Sequence, residues 1–221
     1  MANSMLADRT VVISGGSRGI GLAIGVAAAK QGANVVLLAK TDAPHPRLPG
    51  TVHIAAADVE AAGGKALAVV GDVRREEDVQ RAVDAAVQRF GGIDVCVNNA
   101  SAIALEPTAV LSAKKFDPMQ EVNIRGTFLL TKACVPYLQQ SANPHVLTIS
   151  PSVNMNPCWL GAHPAYTLSK YGMTPLPLGW AAEFADAGIA VNYLWPQTYI
   201  ATSAVTNMAD GDRLAASSRS P

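Results

Sequence analysis

The chain has 221 residues, of which 49% are hydrophobic and 15% carry a charge. This length fits one domain with a substantial buried core, and the composition is typical of a compact soluble protein rather than a disordered one. Seventeen basic and seventeen acidic residues cancel. No overall field therefore favours nucleic acid or an anionic membrane as a partner.

Signals for a membrane, for export and for metals are weak. No apolar run approaches the roughly 20 residues needed to cross a bilayer, and the first letters, MANSMLADRT, lack the order of a signal peptide. The three cysteines (Cys96, Cys134 and Cys158) cannot all pair and have no metal-ligand spacing. We therefore expect a cytoplasmic protein with no metal site, no nucleic-acid partner and no membrane span.

Short hydrophobic runs alternate with helix-patterned segments along the chain. The runs are rich in β-branched residues and lack polar alternation, which predicts a sheet covered on both faces. Repeated strand–helix–strand order predicts an α/β fold with a Rossmann-type, doubly wound parallel sheet, whose ligands bind at the carboxyl ends of the strands. The predicted strands are residues 10–14, 34–39, 66–70, 93–98, 145–150 and 189–195.

Two local patterns refine this outline. From Val79 to Phe90, apolar residues recur at i, i+3, i+4 and i+7, which predicts a helix with one buried face. The segment TDAPHPRLPGT at residues 41–51 has three prolines and should form an ordered, non-helical excursion after the second strand. No repeat or low-complexity linker interrupts the chain, so we expect one domain over residues 1–221.

A glycine-rich turn, GGSRGIG at residues 15–21, joins the first strand to a helical segment. Glycine permits the tight turn and the close approach of a pyrophosphate, and a helix N-terminus offers free N–H groups and a positive dipole. The alternative is a turn that needs glycine for backbone reasons alone, but the position between strand and helix favours a dinucleotide site. The cofactor-binding residues predicted here are Gly15, Ser17, Arg18, Gly19, Ile20 and Gly21.

The end of the second strand bears on which dinucleotide binds. A cofactor without a 2′-phosphate is normally held by an acidic residue there, yet no acid occurs before Asp42. Arg18 and Lys40 could both face the adenosine ribose and attract a phosphate. We therefore expect NADP(H), with NAD(H) possible. The alternative is that Lys40 is only a solvated charge.

Tyr166 and Lys170 are four residues apart, so a helix would place them on one face. A phenol with its ordinary pKa of about 10 is too weak a base near neutral pH. A nearby ammonium group would lower that pKa and make the pair an acid/base catalyst. By itself the spacing is also typical of an ordinary surface helix.

Four motifs occur in a set order: GGSRGIG after the first strand, NNA at residues 98–100, EVNIRG around Asn123, and YTLSK at residues 166–170. In this order they resemble the short-chain dehydrogenases/reductases, and the resemblance covers nearly the whole chain. Smaller features, among them KACVPYL, ISPSVNMNP and LWPQT, are similar to the hydroxysteroid-dehydrogenase-like branch.

The resemblance implies a role for each matching residue. Tyr166 would be the catalytic acid/base, Lys170 would hold the nicotinamide ribose and keep Tyr166 acidic, and Asn123 would anchor a water that relays protons to Lys170. An alternative role of Asn123 is to bridge main chain at a helix bend. The family also implies a homodimer or homotetramer. The further cofactor contacts implied are Asp72, Val73, Asn99, Ala100, Pro196, Ile200 and Thr202.

The catalytic serine is the clearest departure from the family pattern. Its usual place after the fifth strand falls on Pro151, which has no hydroxyl. Ser152 lies one step later, 14 residues before Tyr166, and we predict that it hydrogen-bonds the substrate carbonyl. Ser150 is expected to point into the fold, and Asn154 or an ordered water could share the task.

Other departures lie nearer the C-terminus. The family continues through a substrate-covering helix and a seventh strand, so we expect that this lid and strand are missing from a C-terminally incomplete domain. Pro175 and Pro177 fall inside the helix that should present Tyr166, where proline costs about 3 kcal/mol or more. They either kink that helix or mark an uncertainty in the sequence.

These observations favour an NADP(H)-dependent oxidoreductase that interconverts a secondary alcohol and a ketone. Met155, Cys158, Trp159 and Leu160 supply an apolar lining, which suggests a lipid, acyl or steroid-like substrate. The main alternative is a catalytically weak or inactive nucleotide-binding scaffold or sensor, which Pro151 would favour. A Rossmann-like methyltransferase is a third possibility that leaves Tyr166, Lys170 and Asn123 unexplained.

Overall fold

Six parallel strands form one sheet in the order β3-β2-β1-β4-β5-β6 within the computed structural model, which describes residues 4–44, 49–207, 213 and 216–221. The strands are β1 (Thr10–Ser14), β2 (Asn34–Ala39), β3 (Lys65–Val70), β4 (Val95–Asn98), β5 (His145–Ile149) and β6 (Ala190–Leu194). This order confirms the predicted doubly wound fold. Its reversal between β1 and β4 creates the crevice in which such sheets bind ligands.

Helices cover both faces of the sheet. The elements are α1 (Gly19–Ala29), α2 (Val52–Ala61), α3 (Glu76–Phe90), α4 (Ala113–Gln120), a π-helix (Glu121–Gly126), α5 (Thr127–Leu138), α6 (Pro157–Leu160), α7 (Pro164–Gly172), α8 (Pro175–Glu183) and α9 (Ser203–Thr206). One core packs α3 and α5 against Val12, Val36 and Cys96, and the other packs α1 and α2 against Ile13 and Leu37. Alternate residues of β1 and β2 thus enter opposite cores, as the strand period of two requires.

The predicted one-faced helix is α3. Val79, Ala82, Val83 and Ala86 are buried along its inner face, which confirms the periodic pattern. Acidic residues occupy the first turn, where the helix dipole favours them, and the helix ends at Gly91 in the left-handed conformation with φ 87°.

The structure corrects the prediction for the two prolines. The helix that carries Tyr166 ends at Gly172, and Pro175 begins a separate helix, α8. At the first helical position proline is favourable, because its missing N–H would have had no intrahelical partner. Pro177 also lies in the first turn, so neither proline interrupts a helix interior. Thr174, at the junction, donates from Oγ1 to the Pro151 carbonyl at 3.2 Å.

Strands β1 and β2 match the prediction, and ends of the other four strands differ from it by one or two residues. Strand β4 begins at Val95, and β5 and β6 end at Ile149 and Leu194, so Ser150 and Trp195 lie just beyond the ladder. The proline-rich excursion is non-helical over 41–44 and 49–50, whereas residues 45–48 of that segment lie outside the described residues. Among the helices that the structure describes, none has both the length and the apolar character required to cross a bilayer.

Two glycines of α1 should respond in opposite ways to an added methyl group. At Gly21 a Cβ atom would lie 2.5 Å from Asn99 Nδ2 and 2.6 Å from the Gly15 carbonyl oxygen, whereas at Gly25 the nearest atoms are 3.4 Å away. We expect Gly25→Ala to stabilise the protein by about 0.5–1 kcal/mol through helix propensity. Gly21→Ala should destabilise it by about 1–3 kcal/mol through overpacking. Urea unfolding of both variants checks this, and equal midpoints would contradict it.

Candidate active site

A cavity of about 910 Å³ opens at the carboxyl ends of β1 to β4, where a doubly wound sheet binds its ligand. The predicted cofactor residues in its wall are Gly15, Ser17, Arg18, Gly19, Ile20, Lys40, Asp72, Val73, Asn99, Ala100 and Thr202. The predicted residues outside this wall are Gly21, Asn123, Ser152, Tyr166, Lys170, Pro196 and Ile200. The structure thus brings most of the predicted cofactor contacts together in one cavity.

The glycine-rich turn has the backbone that a pyrophosphate requires. Gly15 and Gly19 have φ of +67° and +56°, which favour glycine, and a Cβ on Gly15 would lie 2.9 Å from Ala100 Cα. Helix α1 begins at Gly19, so its first N–H groups have no intrahelical acceptor and are available to an anion. This cradle fits the diphosphate of a dinucleotide.

Ser14 and Asn99 hold that turn in place. The Ser14 hydroxyl accepts the N–H groups of Asn99 and Ala100, both at 3.1 Å. The Asn99 side-chain amide donates to the carbonyls of Ser14 and Gly15 at 3.0 and 3.1 Å. Asn99 therefore positions the turn through its side chain. Sequence reasoning missed Ser14, whose signal was a polar residue at the end of a buried apolar strand.

Arg18 and Lys40 both line the cavity near the end of β2. Lys40 is exposed, whereas the Arg18 guanidinium donates to the Pro49 and Gly50 carbonyls, both at 3.1 Å, and to Thr41 Oγ1 at 3.0 Å. Partial burial lowers the pKa of Arg18 from its ordinary value, but an arginine remains charged near neutral pH. Both predicted cations line the cavity, and of the two only Arg18 donates to main-chain carbonyls among the described residues.

Asp72 lies in the cavity wall with its carboxylate already paired. Arg74 donates to it from the main chain at 3.0 Å and from Nη2 at 2.6 Å. Burial alone would raise the pKa of Asp72, but the hydrogen bonds and charge of Arg74 lower it overall. Next to it, Val73 is buried against Gly126, where a Cβ would lie 2.8 Å from Val73 Cγ2. An adenine that bound here would therefore contact a carboxylate that already accepts hydrogen bonds from Arg74.

Asn123 connects the cavity to the helix of Tyr166 and Lys170. It is fully buried within the π-helix, a type of segment frequent at functional sites. Its Oδ1 accepts the Ala102 N–H at 2.7 Å, and its Nδ2 donates to the Ala102 carbonyl at 3.0 Å and to Ser169 Oγ at 2.8 Å. The side chain thus bridges the loop after β4 and α7, which is the main-chain role that sequence analysis held as the alternative.

Tyr166 and Lys170 share α7, as predicted. Lys170 Nζ donates to the Ile149 carbonyl at 3.1 Å and lies 3.1 Å from Met173 Sδ. Burial lowers the pKa of Lys170 to about 8 and raises the pKa of Tyr166 above its ordinary value. The expected lowering of the Tyr166 pKa by Lys170 is therefore absent here, because burial dominates at both residues.

The serines after β5 have different environments. Ser150 is 1% exposed, and its hydroxyl has no hydrogen-bond partner among the described residues. Ser152 is exposed. The loop that follows is fixed by Tyr171, whose phenol donates to the Asn154 carbonyl at 2.9 Å and accepts its N–H at 3.0 Å. Burial of Ser150 agrees with its predicted direction into the fold.

The loop after β4 forms a part of the cavity wall that sequence reasoning did not predict. It contributes Ala102, Ile103, Leu105 and Glu106. One carboxylate oxygen of Glu106 pairs with Lys115, and the other is buried without a partner among the described residues. The available signal was position, since a loop at the carboxyl end of a central strand borders the crevice.

The segment after β6 forms another part of the cavity wall. Thr202 lines the cavity, and its N–H donates to the Ile200 carbonyl at 2.8 Å. Ile200 forms a parallel bridge with Arg219, and Pro196 is exposed. Of the predicted apolar lining, Met155 and Trp159 are 70% and 64% exposed, so those side chains face outward in this structure.

Comparison with known proteins identifies the family. The family model described as short chain dehydrogenase matches residues 9–212. Hydroxysteroid dehydrogenase-like protein 2 of Danio rerio is 55% identical over 200 residues, which cover 90% of this chain and 48% of the relative. The Homo sapiens protein of the same name is 54% identical over the same shares. The chain therefore spans about half the length of the curated relatives it matches.

Solved structures agree with this match. A short chain dehydrogenase from Mycobacterium thermoresistibile has a TM-score of 0.87 at 50% identity, over 93% of this chain and 73% of that chain. One from Mycobacterium paratuberculosis bound to NAD has a TM-score of 0.82 at 25% identity, over 95% and 79%. A metagenomic short-chain oxidoreductase in complex with NADP has a TM-score of 0.75 at 28% identity, over 87% and 84%.

The partly buried ammonium of Lys170 should make stability depend on pH. Its pKa falls from 10.5 to about 8 on folding, so between these values the unfolded chain binds more protons. The free energy of unfolding should therefore rise as the pH goes from about 8 to 10.5, and the rise over that whole interval should be up to about 3 kcal/mol. Urea unfolding of the cofactor-free protein from pH 7 to 9.5 checks this. Lys170→Met should remove the rise, whereas Lys114→Met, at an exposed position of α4, should keep it; a rise that persists in Lys170→Met would contradict the assignment.

Proposed function

The chain belongs to the short-chain dehydrogenase family, and from this membership we propose that it interconverts a secondary alcohol and a ketone with a nicotinamide dinucleotide. The observation that carries the proposal is one continuous connection. Asn99 holds the glycine-rich turn through hydrogen bonds to the Ser14 and Gly15 carbonyls. The loop that follows Asn99 contains Ala102, and Asn123 links Ala102 to Ser169 on the helix that carries Tyr166 and Lys170. A cofactor in the cavity and a proton donor on α7 would therefore have a set relative position.

Proton transfer is the part of the reaction that we assign to side chains of this chain. Bound NADPH would supply the hydride. Tyr166 would donate its phenolic proton to the substrate oxygen, a role supported by its place on α7 four residues before Lys170, whose charge would stabilise the phenolate that forms. Lys170 would bind the nicotinamide ribose, and Asn123 would keep α7 in register with the cavity. Ser152 would hydrogen-bond the carbonyl oxygen.

We assign NADP(H) as the preferred cofactor. Lys40 and Arg18 both line the adenosine end, and Asp42, the first acid after β2, pairs with His53 at 2.7 Å and is outside the cavity wall. A 2′-phosphate would therefore meet two cations and no competing carboxylate. The family accepts both dinucleotides, since its solved members include complexes with NAD and with NADP.

For the substrate we propose a hydrophobic molecule of lipid, acyl or steroid type. The loops after β5 and β6 leave from neighbouring strand ends. Between Lys132 and Lys170 the sequence contains no acidic residue, lysine or arginine. The exposed side chains of these loops include Met155, Trp159, Trp195 and Tyr199. Such a surface would contact an apolar body better than a charged one.

The remaining expectations are also proposals. We propose one NADP(H)-binding domain over residues 1–221 that assembles as a homodimer or homotetramer, as the family implies. A cytoplasmic location is supported by the free thiols of Cys96, Cys134 and Cys158. The competing function, a nucleotide-binding scaffold or sensor, is favoured by one specific observation: Pro151 stands where the family carries its serine.

Turnover separates the oxidoreductase from the scaffold. The protein is incubated with NADP and a panel of secondary alcohols, 3-hydroxyacyl thioesters and hydroxysteroids, and the absorbance of the reduced cofactor is followed. We expect activity that Tyr166→Phe lowers by at least about 100-fold, the usual scale for losing an acid/base group, while NADP affinity stays within about twofold.

Ser152→Ala and Ser150→Ala form a matched pair for the same assay. Activity lost only in Ser152→Ala supports Ser152 as the carbonyl ligand, and unchanged turnover would show that another group binds the carbonyl. NADP binding without turnover on any substrate would favour the scaffold.

Reversing one charge tests the cofactor preference. Lys40→Asp places a carboxylate at the adenosine end, where it should repel a 2′-phosphate and could bind a free 2′-hydroxyl. We expect the Kd for NADP to rise at least about tenfold, while the Kd for NAD changes little. Titration calorimetry with both dinucleotides measures this, and equal losses of affinity would reject the assignment of NADP.

A further inference from the structure

The segment from Ser152 to Trp159, which follows β5, lies on the surface of the protein. All of its residues are exposed, so burial of apolar side chains contributes little to holding it in place. A segment of this kind opens easily unless hydrogen bonds restrain it. Its conformation therefore depends on the hydrogen bonds at its start and within it.

Two side chains at the end of α7 hold the start of this segment. The Tyr171 phenol donates to the Asn154 carbonyl at 2.9 Å and accepts the Asn154 N–H at 3.0 Å. Thr174 Oγ1 donates to the Pro151 carbonyl at 3.2 Å. The Thr174 N–H also donates to the Tyr171 carbonyl at 2.8 Å, so the two residues share one helical turn and face the same side. The main chain is thus fixed on both sides of Ser152.

The hydroxyl of Thr174 is directed to the loop instead of to its own helix. Thr174 precedes Pro175 at the N-terminus of α8, a position where threonine commonly caps the helix. Among the described residues, its hydroxyl caps no helical N–H and donates to the Pro151 carbonyl. Thr174 is 1% exposed, so water has little access to this bond.

Two asparagine turns continue the order from the anchored point to α6. Asn154 Oδ1 accepts the Asn156 N–H at 3.0 Å, and Asn156 Oδ1 accepts the Cys158 N–H at 3.0 Å and caps α6. Asparagine side chains commonly bond the main chain two residues further on in this way. These bonds are local and give the segment its shape. Within the described chain, the hydrogen bonds that attach residues 152–156 to another element are those of Tyr171.

Helix α7 carries the proton-handling residues as well as Tyr171. Lys170 Nζ donates to the Ile149 carbonyl at 3.1 Å, so adjacent residues of α7 bind the end of β5 and the loop that follows it. Tyr166 lies one turn before Lys170 on the same helix. The separation of Ser152 and Tyr166 is therefore set through one helix, which suits two groups that must reach the same substrate oxygen.

We infer that Tyr171 and Thr174 are positioning residues that anchor the loop after β5 on α7 and thereby hold Ser152 in reach of the substrate oxygen. The inference rests on the proposed function for the role of Ser152, whereas the anchoring is a property of the protein without substrate. Pro151 shifts the serine by one position relative to the family pattern, and the anchors on either side restrict where the shifted serine can lie. Loss of an anchor should therefore lower turnover through Ser152.

Amide hydrogen exchange in the full chain without substrate tests the anchoring. Tyr171→Phe removes only a hydroxyl, and Tyr137→Phe makes the same change at a partly buried tyrosine of α5. We expect the Asn154 N–H to exchange about tenfold or more faster in Tyr171→Phe, because its acceptor is lost and the loop opens more often. Tyr137→Phe should leave that rate unchanged. The Ser150 N–H, which donates to the Leu194 carbonyl, should keep its rate in both variants.

A double-mutant cycle on turnover tests the role of Ser152. We expect Ser152→Ala to lower kcat about 100-fold, the scale for losing a donor to the substrate oxygen, and Tyr171→Phe to lower it about tenfold. In the Ser152→Ala protein, adding Tyr171→Phe should change kcat by less than about twofold, because the side chain that it positions is already absent. Thr174→Val should behave like Tyr171→Phe, and Thr174→Ser, which keeps the hydroxyl, should retain wild-type turnover.

Four results would contradict the inference. Unchanged exchange of Asn154 in Tyr171→Phe would overturn the anchoring. Equal losses of kcat from Tyr171→Phe with and without Ser152 would overturn the positioning role, since a purely structural contact acts in both backgrounds. Unchanged turnover in Ser152→Ala would also overturn that role and would leave the oxidoreductase proposal standing. A wild-type protein that shows the exchange pattern but turns over no substrate would retain the anchoring, overturn its catalytic role and reject the proposed function.

Discussion

One buried side-chain amide, that of Asn123, determines how the two halves of the site are related. It binds both main-chain groups of Ala102 and donates to Ser169 at distances of 2.7 to 3.0 Å. Asn123 is fully buried, so water cannot replace these partners, and each unsatisfied polar group at that depth would cost about 1–3 kcal/mol. The loop beside the cavity and the helix of Tyr166 and Lys170 are therefore held in one arrangement.

The polar groups at the carboxyl edge of the sheet fall into two sets. The first set, Ser14 and Asn99, already forms hydrogen bonds that hold the glycine-rich turn. The second set lacks such partners and includes the first N–H groups of α1, which have no intrahelical acceptors. Lys170 belongs to the second set, because its partly buried ammonium contacts one carbonyl and one thioether, and its pKa falls to about 8. A ligand with oxygen acceptors would relieve both deficits, which is why these positions suit a dinucleotide better than an apolar core.

Local patterns predicted the fold and the glycine-rich turn between β1 and α1, whereas they could not predict contacts between residues far apart in the sequence. The buried runs of β1 and β2, the stripe of α3 and the glycine turn are visible in short windows because their periods are short. The Ser14–Asn99 bond joins residues 85 apart, and the Arg18–Gly50 bond joins residues 32 apart. Only the folded chain could show that Arg18 donates to the Gly50 carbonyl or that Asn123 bridges main chain.

Two departures from the family pattern, Pro151 and Pro175, lie at either end of one hydrogen bond, because Thr174, which precedes Pro175, donates to the Pro151 carbonyl. The last ladder bond beside β5 is from the Ser150 N–H to the Leu194 carbonyl at 3.1 Å, so Pro151 stands where the strand needs no further donor. Pro175 ends the preceding helical run, and the Thr174 hydroxyl at that break binds the Pro151 carbonyl. An unbroken helix would engage Thr174 differently. The loop after β5 is therefore docked on the end of α7 by a contact that both prolines permit.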